Sequence, residues 1–123
     1  MNKELILQWT IISDPQKYVS DVLVAEAGDI PAEKINQGPW FVDTVTLRDI
    51  TIDRRMIGEH DLDPVHIARR DDVIASIRAG HEIKPLIALG EELFLVDGYA
   101  RYRALQKLRV ERVQVLRQRM TKK

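Results

Sequence analysis

The stretch from Ile83 to Arg109 constrains the fold more than any other. Ile83-Lys84-Pro85-Leu86-Ile87-Ala88-Leu89 ends in an apolar run entered through a proline, which reads as a buried strand. Gly90-Glu91-Glu92 is a short polar turn, and Leu93-Phe94-Leu95-Val96 is a second apolar run, so the two predict a hairpin. Asp97-Gly98 follows at once, and Tyr99 to Arg109 is helical, with Ala104, Leu105 and Leu108 on one face. Val110 to Arg117 alternates enough for a final strand. A hairpin that runs through a glycine into a helix and back into a strand needs other helices to cover it. The fold class expected is therefore α+β: a small mixed sheet with packed helices.

Upstream, residues 4–12 are apolar and β-branched enough for a strand. Ser13-Asp14-Pro15-Gln16 reads as a helix start with Ser13 as cap, leading into a helix over Gln16–Ala27 that stops at Gly28. Pro31 to Gln37 can add a helical turn before the breaker Gly38-Pro39. From Phe41 the pattern turns to β-branched alternation through Ile52, one strand or two short ones. Residues 53–63, charged and aperiodic, read as a loop. Asp63-Pro64 opens a helix at Val65, and Asp71 to Ala79 is the clearest helix of the centre, ended by Gly80. The division expected is an extension, 1–40, packed on the core or dimerising it, and a domain, 41–123.

At 123 residues the chain suits one packed core. It has no cysteine, which excludes disulfides, thiolate metal sites and a cysteine nucleophile. It has neither an apolar run long enough to span a bilayer nor a signal-peptide pattern at its N-terminus, so a cytoplasmic location is expected. The net charge is zero, yet residues 98–123 hold nine of the 19 Lys/Arg and only one acid, Glu111. That asymmetry fits either an acidic partner, such as nucleic acid or a nucleotide phosphate, or a basic end folded back on an acidic body.

The segment Val96-Asp97-Gly98-Tyr99-Ala100-Arg101-Tyr102-Arg103-Ala104 carries the most chemistry. A helix opening directly from a strand and a glycine presents free backbone N–H groups and a partial positive charge. Gly98 permits close approach of a phosphate, and Arg101 and Arg103 can add forked contacts. Asp97 can hold Mg²⁺ beside a phosphate or cap the helix. His60, His66 and His81 have no metal-ligand spacing and read as surface or loop histidines. Trp9, Trp40 and Phe41 read as packing residues, whereas Tyr99 can stack a base or plug a pocket.

Taken in order, Val73–Gly80, Ile83–Ile87, Val96–Ala104 and Val113-Gln114-Val115 resemble the ParB/sulfiredoxin superfamily over roughly residues 43–117. The resemblance implies a compact ParB/sulfiredoxin-like domain on a phosphate-binding scaffold. Its Gly-Glu-Arg-Arg-x-Arg-Ala box is matched at Gly98, Arg101, Arg103 and Ala104, while Tyr99 and Ala100 replace its Glu and first Arg. Sulfiredoxin chemistry needs a Gly-Cys-His-Arg motif, and Tyr99 and Ala100 stand at its Cys and His. That activity is excluded. The sequence ends soon after the last strand, so the helix-turn-helix of full-length ParB proteins is not expected within it.

The resemblance thus implies a stand-alone ParB-like N-terminal domain that binds nucleotide or phosphate in a DNA-related process, partition or regulation. The candidate ligands of the phosphate are Lys84, Gly98, Tyr99, Ala100, Arg101 and Arg103, and the expected cofactor is CTP, ATP or ADP with Mg²⁺. Expected partners are that nucleotide, DNA through the basic C-terminal quarter, and a second copy or partner protein, with no membrane. The alternative is an enzyme, a small-molecule phosphotransferase of the free-serine-kinase type or a nuclease. It would use Glu59 as base and Asp97 as a catalytic and metal-holding carboxylate.

Overall fold

The computed structural model describes residues 6–26 and 38–119. In chain order the elements are β1 (Gln8–Trp9), α1 (Pro15–Glu26), β2 (Trp40–Thr46), a 3-10 turn (Leu47–Asp49), α2 (Arg54–Leu62) and α3 (Pro64–Arg78). β3 (Glu82–Ile83), β4 (Leu86–Leu89), β5 (Phe94–Asp97), α4 (Tyr99–Lys107) and β6 (Arg112–Gln118) follow. The main sheet has the order β2-β6-β4-β5. β2 runs antiparallel to β6 from Trp40 opposite Gln118 to Thr46 opposite Arg112. β6 is parallel to β4, with Leu86 opposite Val115, and β4 and β5 form the expected hairpin, bulged between Ile87 and Ala88. The chain is α+β, as its patterning requires.

Both faces of this sheet are buried, which is why β4 reads as a continuous apolar run. Leu86, Ala88, Leu95, Val113 and Val115 face one core with Ile77 of α3 and Tyr102 and Leu105 of α4. Ile87, Leu116 and Trp40 face the other, where α1 lays Val19 and Leu23 over them. Gly38 sits where the chain enters β2, and a Cβ there would lie 2.2 Å from the Arg119 carbonyl oxygen, so only glycine fits against the end of β6.

Four local expectations change. Over the described part of the strand expected at residues 4–12, only Gln8–Trp9 is strand, because its partner β3 offers two residues to pair with. The α1 cap is Asp14, whose carboxylate accepts from the Lys17 N–H at 3.1 Å, in place of Ser13. The expected loop at 53–63 is helix α2. Asp53 caps it by accepting from the Arg55 and Met56 N–H groups. Asp63 closes α2 with its N–H on the Glu59 carbonyl and opens α3 with its carboxylate on the Val65 N–H at 2.9 Å. Fourth, α3 is continuous from Pro64 to Arg78 and ends in Gly80 at φ +84°, with His81 N–H returning to the Ser76 carbonyl. The Gly28 stop and the helical turn at residues 31–37 lie outside the described residues.

Candidate functional site

The glycine between β5 and α4 adopts φ +98°, ψ +32°, a left-handed conformation that swings the chain from strand to helix without an intervening loop. A Cβ at Gly98 would meet Leu86 Cδ2 at 2.7 Å and the Arg101 guanidinium at about 3.0 Å. Glycine is therefore required by dihedral and by space. No side chain caps α4, so its first N–H groups stay open. Asp97 does not supply the cap because its carboxylate is engaged elsewhere: Arg101 Nη2 donates to Asp97 Oδ2 at 2.6 Å.

Arg101 is a brace. Besides Asp97, its Nη1 donates to the carbonyls of Lys84 at 3.0 Å and Pro85 at 3.1 Å, fastening α4 to the segment that enters β4. Arg103 turns the other way, forking onto Asp61 of α2 at 3.0 and 2.7 Å and reaching Gln106 of its own helix. Arg117 pairs with Asp43 across β6 and β2 at 3.3 Å. Three cations of the basic C-terminal quarter are thus spent on acids of the body.

A cleft of about 710 Å³ opens over the start of α4. Asp97, Gly98, Tyr99, Ala100 and Arg101 form one side. The opposite side comes from α2 and α3: His60, His66, Arg69, Asp72 and Val73. Lys84, Glu59 and Arg103 are not among its lining residues, and Lys84 and Glu59 are exposed. The His60 and His66 rings stack with centroids 3.7 Å apart, and Tyr99 lies 5.1 Å from His60, tilted. Burial lowers the His60 pKa from 6.5, and the neighbouring His66 lowers it further, against the opposing pull of Asp63, Asp61 and Glu59. Burial raises the Tyr99 hydroxyl, partly offset by a hydrogen bond to the Asp53 backbone. Arg69 is exposed and makes no ion pair among the described residues, which leaves its guanidinium available at the mouth.

Sequence reasoning located the glycine junction and missed the wall across from it. His60, His66 and Arg69 come together only because residues 54–62 are a helix that turns sharply into α3 at Asp63-Pro64. The two aspartates at 53 and 63, each positioned to cap a helix, were the signal for it. The donor set does not suit a resident metal: Asp97 is held by Arg101, and among the described residues no three metal-ligating side chains converge.

No family model matches the chain, and no curated protein does. Among solved structures, the C2221 form of a Pnob8-like ParB-N domain aligns with a TM-score of 0.51 and 24% identity, covering 67% of this chain and 31% of that one. A second structure, of the pNOB8-like ParB N-domain, aligns with a TM-score of 0.49 and 26% identity over 63% of this chain and 27% of that one. The matched region is less than a third of the length of either solved chain. The first of these likenesses gives the chain the fold of a ParB N-domain.

Proposed function

We propose that this ParB-like domain binds a nucleotide through its phosphates at the β5–Gly98–α4 junction and serves a DNA-related process, partition or its regulation. The observation that carries the reading is the uncapped start of α4 at Gly98, φ +98°, opening into a cleft whose far wall holds Arg69. Open N–H groups at a helix start favour an anion, and an unpaired guanidinium opposite adds a forked donor. Tyr99 with the stacked His60 and His66 gives the cleft aromatic surface and offers a face for a base. Arg101 supports the site from beneath by fixing the junction, and Arg103 does so by holding α2 in place.

The test is a thermal-shift screen against CTP, ATP, ADP, GTP and inorganic phosphate with Mg²⁺, wild type beside Arg69→Ala. Arg69 is exposed, so its removal does not threaten the fold. A ligand at a hundred times its Kd adds roughly 2.7 kcal/mol, an easily read shift. A shift for one nucleotide that shrinks in Arg69→Ala supports the reading. No shift with any of them at millimolar concentration rejects it, and steady release of phosphate would replace it with the phosphotransferase or nuclease alternative.

A further inference from the structure

Beyond Arg69, unpaired positive charge also gathers away from the junction. A second cleft, of about 740 Å³, opens at the other end of α4, roughly 13 Å along a helix of nine residues. Arg48 of the 3-10 turn, Arg54 at the first position of α2, Arg109 just past α4 and Arg112 at the start of β6 all line it. Glu111 is the one acid among its lining residues. None of the four guanidiniums makes an ion pair among the described residues, whereas Arg70, Arg101, Arg103 and Arg117 each have an aspartate. Four like charges around one concavity repel each other, and the single carboxylate there, Glu111, forms an ion pair with none of them.

Arg109 adds a second, independent observation. It occupies φ +59°, one residue past the C-cap of α4, where its N–H returns to the Gln106 carbonyl and the Val110 N–H to that of Leu105. Glycine is the ordinary occupant of that position, and an arginine there carries a backbone cost. The strained residue is thus one of the four that line the cleft. Buried Leu47, Ile50 and Tyr102 give the cleft a firm apolar floor.

We infer that this second cleft is a binding site for a compact polyanion, a small molecule bearing several clustered phosphates. Guanidinium forks match phosphate oxygens, and four of them, from the stretches 48–54 and 109–112, line one concavity. The volume is that of a small-ligand pocket. The site is separate from the junction cleft and does not depend on it.

Calorimetric titration with sodium tripolyphosphate at physiological ionic strength tests this, comparing wild type, Arg48→Ala/Arg109→Gly and Arg69→Ala. Arg109→Gly removes a cation while relieving the left-handed backbone, so an unfolding midpoint no lower than wild type certifies the fold of the double variant. Binding at one site, weakened about tenfold or more in the double variant and unchanged in Arg69→Ala, is the expected result. No binding at millimolar tripolyphosphate overturns the inference, as does equal binding by the double variant or loss in Arg69→Ala. Tighter binding of a DNA duplex or of polyglutamate than of tripolyphosphate, lost in the same double variant, also overturns it and gives the cleft to a macromolecule.

Discussion

Arg101 Nη2 lies 2.6 Å from Asp97 Oδ2, with both side chains less than a fifth exposed, and the same guanidinium takes up the carbonyls of Lys84 and Pro85. This one residue therefore joins the end of β5, the first turn of α4 and the entry to β4. The arginine of a Gly-x-x-Arg segment invites reading as a phosphate ligand. Here its donors are committed first to holding the junction in shape.

Arg101→Ala should accordingly destabilise the fold by about 2–3 kcal/mol, since it strands a mostly buried carboxylate and two carbonyl oxygens together. Arg101→Lys should recover little, because a single ammonium cannot span three acceptors on two segments. Urea denaturation of the three proteins reads this directly. A loss below about half a kilocalorie in the alanine variant would show that the brace is incidental.

Gly98→Ala tests the junction from the backbone side. Alanine at φ +98° is strained, and its Cβ would also press on Leu86 Cδ2 at 2.7 Å. Gly80 offers the matched control: φ +84°, with nothing within 4 Å of a Cβ. Gly80→Ala should cost about 1 kcal/mol for its dihedral alone, and Gly98→Ala about 1–3 kcal/mol more, the excess coming from the clash. Equal losses on denaturation would mean that Leu86 yields freely and that space does not select glycine there.

How much of this could be read from residues alone follows the range of the forces involved. The β4–β5 hairpin, α4 and β6 were legible because apolar runs, a turn and a glycine are local signals. Helix α2 was not. Its sequence, Arg54-Arg55-Met56-Ile57-Gly58-Glu59-His60-Asp61-Leu62, is charged and carries a central glycine, which intrinsic propensity disfavours. It is held by two aspartate caps and by Asp61, which takes the fork of Arg103 from 42 residues away. The cap residues were in plain view, but the fork is a product of topology. The same holds for the charge asymmetry: its existence is written in the composition, while Arg101–Asp97, Arg103–Asp61 and Arg117–Asp43 exist only once the sheet and helices are assembled. The site followed this division, with the glycine junction legible and the histidine wall not.

The stacked histidines make the fold sensitive to mild acid. Burial and the adjoining His66 lower the His60 pKa below 6.5, so the folded protein disfavours the imidazolium that the unfolded chain accepts. The unfolded state therefore binds more protons as the pH falls through that region, and by linkage the stability present above pH 6.5 is lost progressively below it. Urea denaturation at a series of pH values between about 7.5 and 5.5 should show unfolding free energy falling with acidification, with part of that slope abolished in His60→Gln. Imidazole proton shifts followed by NMR supply the site-specific readout, with a His60 midpoint below 6.5. A midpoint at or above it, or a wild-type slope that His60→Gln leaves unchanged, would mean that the ring stack carries no proton linkage. Protonating one ring also places a cation against its neighbour and beside the open start of α4, so any anion bound in that cleft should hold more tightly to the protonated protein and blunt the acid sensitivity.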